Sequence, residues 1–147
     1  MRQNLRFQHS LNDESGQTTV LILGMMTILL MFAAVILGAT VVNGEARKLL
    51  SEADGAASAA AIAAQPAPGV PQISDQQIRA AAEQHFEQAG SHQRHVGLAV
   101  IEAGTSPGGE TIHLRLRSEA QLPGLRWVLP AGVEVTAESH ARVAINR

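Results

Sequence analysis

Six histidines carry the most conspicuous chemistry in this 147-residue chain. His92 and His95 form a His-x-x-His pair, and His85 precedes them by two helical turns. Imidazoles at such spacing serve as zinc ligands when three or four donors converge on rigid elements. This pair lies in SHQRH beside Arg94, which reads as a solvated helix-to-strand loop, and no HExxH accompanies it. His113 and His140 fall on the polar faces of two alternating segments, as surface residues placed to be cross-strand neighbours. His85 falls on the apolar face of a helix and reads as a half-buried packing residue. No metal ligand set is assigned.

Other chemistries find less. Ser, His and Asp occur, but no GxSxG elbow positions a nucleophile. Cysteine is absent, which removes thiolate nucleophiles, thiolate metal sites and disulfides. Neither GxGxxG nor GxxxxGK[ST] is present, so Gly108–Gly109 reads as a turn and not as a phosphate loop. Glu83 and Glu87 share a helix face and read as solvated carboxylates. Arg115, Arg117, Arg126 and Arg142 would form a basic patch were they not neutralised by Glu119, Glu134 and Glu138. Eleven Lys and Arg against thirteen Asp and Glu leave a net charge of −2, which argues against nucleic acid as a partner. The reading is a non-enzymatic protein with no cofactor and no small-molecule substrate.

The elements that would position these residues begin with a membrane segment. Glu14 and Glu45 bracket a stretch without formal charge, and within it Val20–Val42 reads VLILGMMTILLMFAAVILGATVV. As a helix it spans roughly 34 Å, enough for a hydrocarbon core of about 30 Å. A cleaved secretory signal would have a shorter apolar run with a small-residue site close behind it. Arg2, Arg6 and the chain amine precede the span, and Arg47 and Lys48 follow it. The small excess before it places the N-terminus in the cytoplasm and the rest of the chain outside.

Four segments follow from composition: a polar leader over 1–17, a transmembrane helix continuing into an Ala-rich helix over 18–64, a Pro-rich linker over 65–73, and a small α+β domain over 74–147. In the Ala-rich part Glu45 and Lys48 are placed for a weak surface pair. The stripe Ala46, Leu49, Leu50, Ala53, Ala57, Ala60, Ala61, Ala64 has helical spacing. Its small residues suit close packing, either on the chain's own domain or on another helix. Ala34/Gly38 and Thr40/Gly44 add small-xxx-small pairs. Ser74 as N-cap and Gly90 as stop predict a helix over 75–89. Val96–Glu102 reads as a strand, GTSPGG as a turn and Thr111–Arg117 as an alternating strand. Two Pro-containing turns surround Trp127. Val133–Ile145 alternates again. The expected fold is α+β: one long N-terminal transmembrane helix, a short helix and an antiparallel sheet of about three strands with one apolar face.

These residues also carry a family likeness. ESGQTTVLILGMMTILLMFAAVILGA, followed by ARKLLSEADGAASAAAIAA, resembles the N-terminal region of TadE/TadG-like proteins of the Tad (Flp) pilus assembly system. The likeness covers about residues 13–64 and, more loosely, 110–145, where LPG…VTAESHARV is similar to that family's last strand. The resemblance implies a pilin-like or pseudopilin-like subunit of a pilus or secretion apparatus, anchored in the bilayer and in contact with other such subunits. It also implies a prepilin-peptidase site between Gly16 and Gln17. Substrates of that peptidase carry Glu at the fifth residue after the cut, where this chain has Leu21. Helix packing would fall on Ala34, Gly38, Ala53, Ala57, Ala60, Ala61 and Ala64. The alternative, from the residues alone, is a membrane-anchored extracytoplasmic binding module unrelated to pili.

Overall fold

The computed structural model describes residues 7–64, 73–122 and 132–143. The chain divides into two compact units, Met1–Ala39 and Thr40–Arg147. Helix α1 covers Phe7–Ala63, α2 Asp75–Ala89 and the single turn α3 Ser91–Arg94; the strands are β1 Val96–Thr105, β2 Thr111–Ala120 and β3 Val133–Arg142. The class is α+β, with a three-stranded antiparallel sheet in the order β1-β2-β3.

In the first unit, α1 is apolar all round. Its large side chains are bare, from 55% exposed at Ile22 to 71% at Val20. Among the described residues it is the one helix long and apolar enough to cross a membrane, over Gly16–Ala63. The helix begins at Phe7 and not at 18, so part of the expected polar leader is helical. The physical reason is cooperativity: nucleation is costly, whereas extending an existing helix is nearly neutral even for ordinary residues. α1 ends at Ala63, just before Gln65, whose neighbour Pro66 disfavours helical backbone in the residue ahead of it.

In the second unit, the α1 segment from Thr40 onward and α2 share one core with the sheet. Leu49, Ala53, Ala56, Ala57 and Ala60 are fully buried with Ile78, Ala82 and Phe86 of α2 and Ile112, Leu114 and Leu116 of β2. The helical face is the expected one with two changes: Ala56 is inside and Leu50 is 44% exposed. Leu50 lies about 100° round the helix from Leu49 and falls off the buried stripe. At Gly55 the missing side chain lets His85 of α2 come so close that a Cβ there would stand 2.7 Å from His85 Nε2.

α2 has the expected boundaries. Ser74 accepts from the Gln77 N–H while the Gln77 side chain accepts from the Ser74 N–H, a capping box. Gly90 closes the helix at φ 66°, a left-handed conformation that glycine adopts without penalty. Ile73, at the end of the Pro-rich segment, packs against the core. The rest of that segment, 65–72, lies outside the described residues, as do Arg126 and both turns around Trp127.

β2 alternates without interruption, burying Ile112, Leu114, Leu116, Ser118 and Ala120, and so runs past the expected end at Arg117. β2 and β3 keep one unbroken register from Thr111↔Arg142 to Ala120↔Val133. β1 is less regular. Leu98 and Ala103 are both buried, yet their odd spacing would put them on opposite faces of a regular strand. A register shift between Val100 and Glu102 supplies the missing residue. The β1–β2 turn is closed by the Gly109 N–H donating to Ser106 O at 2.8 Å.

Candidate functional site

Two polar clusters stand out, and both lie within the second unit. The first is interior. Glu45 and Glu52 are two helical turns apart on α1 and point at the sheet end where α3 meets β1. His95 Nδ1 lies 2.6 Å from Glu45 Oε1, and its Nε2 lies 3.8 Å from Glu52 Oε1. Ser118 Oγ donates to Glu45 Oε1 at 3.2 Å, and Ser91 Oγ donates to Glu52 Oε2 at 2.7 Å. The Arg94 guanidinium donates to the other Glu52 oxygen. Further along α1, Asp54 accepts from Ser139 of β3. Among the described residues no buried side-chain donor or acceptor lacks a partner.

This cluster corrects two expectations. His95 is not in a solvated loop: it is 3% exposed, because the SHQRH segment coils into α3 and turns His95 inward. Glu45 is directed to His95 and Ser118 and not to a surface pairing with Lys48. His92 does stay at the surface, 3.2 Å from Glu83 Oε2. His85 is half-buried as expected, with its Nε2 4.0 Å from Glu52 Oε2. Burial pushes the Glu52 carboxyl up, but the hydrogen bonds from Ser91 and Arg94 and the Arg94 charge outweigh it, and Glu52 titrates below its usual 4.5.

Ser, His and Glu meet here, but not as a catalytic relay. In a hydrolytic triad the serine hydroxyl gives its proton to the imidazole. Here Ser91 and Ser118 both donate to carboxylates, and both are fully buried. The arrangement ties α1 to α3 and β2. A shallow recess of about 390 Å³ beside it is lined by Val41, Gly44, Lys48, Arg94 and Glu119 among others. Its lining mixes both signs of charge without a dominant one.

The second cluster is on the outer face of the sheet. Arg115 of β2 donates to Glu138 Oε2 of β3 at 2.9 Å and lies 3.2 Å from Glu102 Oε2 of β1. Arg117 and Glu134 add a looser pair at 3.9 Å. The expected neutralisation of the arginines holds for these two. Two residues along the ladder, on the same face, His113 and His140 are direct register partners with their Nδ1 atoms 2.6 Å apart. Glu83 and Glu87 are exposed on α2.

The candidate packing residues divide. Ala53, Ala57 and Ala60 are fully buried and Ala64 nearly so, all in the chain's own core; Ala61 is half-buried beside it. Ala34 and Gly38 lie in the first unit among bare apolar side chains. Gly16 and Gln17 lie within α1 and are exposed. The interior cluster is what sequence reasoning missed. The one available signal was the heptad spacing of Glu45 and Glu52, two acids on the face that otherwise carries Leu49, Ala53 and Ala56. No protein-family model, curated protein or solved structure matches this chain. The likeness to Tad pilus proteins therefore rests on the sequence motifs alone.

Proposed function

We propose that this chain is a single-pass membrane protein that serves as a non-enzymatic, pilin-like subunit of a Tad-type pilus or related secretion apparatus. One observation carries the anchor: the apolar half of α1 is bare on every side, and water would not tolerate such a surface. A bilayer removes the cost, and Ala34 and Gly38 then offer a flat strip on which like helices pack closely. The sequence features around Gly16 and the Ala-rich continuation add the pilus assignment. The N-terminus lies in the cytoplasm and the α+β domain outside, by the charges flanking the span.

One finding favours the alternative of a membrane-anchored binding module. The alanine stripe of α1 is consumed by the chain's own core, so it is not a free surface for a second subunit. Assembly contacts therefore fall to the span itself.

The absence of cysteine makes the test clean. Single Ala34→Cys and Gly38→Cys variants are expressed in the native host and oxidised in the membrane. Assembly predicts disulfide-linked species from both, and no such species from Leu29→Cys. Monomers throughout would remove the pilin-like reading in favour of the binding module. Intact mass of the membrane-extracted protein reports the peptidase site, with loss of residues 1–16 expected for a subunit that leaves the membrane for a filament.

A further inference from the structure

We propose that His113, His140 and Glu138 form a surface site for a divalent transition metal ion, on the sheet face turned away from the helices. One ligand atom from each of the three lies within 4.8 Å of the others. The geometry begins with the β2–β3 register, which sets His113 directly opposite His140. Cβ atoms of directly opposed residues stand about 5 Å apart, so both imidazoles reach one point without backbone movement. The rings meet nearly edge to face, 4.6 Å between centroids. Glu138 is two residues before His140 on the same face, with Oε1 3.6 Å from His140 Nε2.

Two facing imidazole nitrogens are an awkward hydrogen-bonding pair. Only one can donate, and two protonated rings would repel. A cation accepts a lone pair from each. At metal–ligand distances of about 2.0–2.2 Å, tetrahedral neighbours stand roughly 3.3 Å apart, between the 2.6 Å of the Nδ1 pair and the 4.8 Å limit of the cluster. Glu138 Oε1 now stands beside the other nitrogen of His140, so coordination through the two Nδ1 atoms turns the carboxylate toward them as the rings part.

The support around the site suits a ligand set. Arg115 holds Glu138 Oε2 at 2.9 Å and leaves Oε1 on the histidine side. The unbroken β2–β3 ladder fixes the three Cα positions. Two imidazoles and one carboxylate select zinc, copper or nickel over calcium or magnesium, which take oxygen donors. Three protein ligands leave a coordination position open to water or to a donor from a partner. Neither the pilus reading nor the binding-module reading is required.

The test is isothermal titration of the full chain in detergent with zinc chloride, nickel chloride and calcium chloride. Wild type is expected to bind one zinc or nickel ion and no calcium. His113→Ala and His140→Ala should each weaken binding by about tenfold or more, and His85→Ala/His92→Ala should leave it unchanged. His113 and His140 lie on the sheet's outer face, so both variants are expected to keep the fold, which circular dichroism checks. Nickel should also broaden the amide resonances of His113 and His140 before any others. Absence of saturable zinc binding by wild type, or equal binding by the His113→Ala/His140→Ala double variant, would overturn the proposal.

Discussion

At the scale of single residues, the interior cluster around His95 makes the sharpest energetic claims. Glu45 accepts from buried partners on two different elements. Glu45→Ala removes the acceptor of the buried His95 ring and leaves the Ser118 hydroxyl only the longer contact to Val96 O at 3.4 Å, which costs about 1–3 kcal/mol. Chemical denaturation of the variant in detergent measures it. Glu52 makes a claim about pH. Its carboxyl titrates below 4.5 when folded, so the folded state binds a proton less readily than the unfolded chain. Its contribution is then present in full above about pH 4.5 and is lost as pH falls through the lower folded value. The thermal midpoint should drop over that acid range, and Glu52→Gln should flatten the drop while lowering stability at neutral pH. An unchanged pH profile in Glu52→Gln would contradict the assignment. Beyond the heptad spacing of Glu45 and Glu52, none of this cluster is legible in the residues alone. A carboxylate on a helix reads as solvated by default, and only the coiling of SHQRH into α3 turns His95 toward Glu45. By contrast, alternation alone placed His113 and His140 as cross-strand neighbours, and the register pairs them directly.

At the scale of elements, local signals decided more. The capping box at Ser74 and the left-handed Gly90 fix α2, and both were visible as residue types. Ser74→Ala should cost about 1 kcal/mol and fray the start of α2, checked by amide exchange at Asp75–Gln77. Strict alternation made β2 and β3 legible, whereas β1 was under-read because its bulge breaks the period on which the reading depends. The start of α1 at Phe7 is hidden in the sequence for a different reason: propensity says little about residues that extend a helix already nucleated. The alanine stripe was legible as a packing face but not as to its partner. Its burial against α2 and β2 now gives a definite expectation. Ala57→Leu forces a larger side chain into a fully packed position and should destabilise the domain by about 1–3 kcal/mol, seen as a lowered denaturation midpoint. Gly38→Leu, in the first unit, should leave that midpoint unchanged and act only on association within the membrane. The contrast separates folding from assembly.

At the scale of the whole molecule, the chain combines two surfaces with opposite solvent requirements. The first unit exposes Val20, Leu21, Phe32 and Leu37 at 63% or more. The second has its own core, paired interior charges and a charged outer sheet face. Composition already pointed to this division, because formal charge is missing from one contiguous stretch. What composition does not supply is a partner, which is why the functional reading leans on the span and on the motif at Gly16. The central proposal is that the apolar part of α1 before Thr40 lies in a bilayer and that the α+β domain faces away from the cytoplasm. Labelling of single-cysteine variants in intact cells with a membrane-impermeant maleimide tests it most directly. Glu102→Cys, on the exposed strand β1, should label in intact cells, and Leu29→Cys should stay unlabelled until detergent is added. Labelling of Leu29→Cys in a detergent-free soluble fraction, or protection of Glu102→Cys until the cells are lysed, would contradict the account.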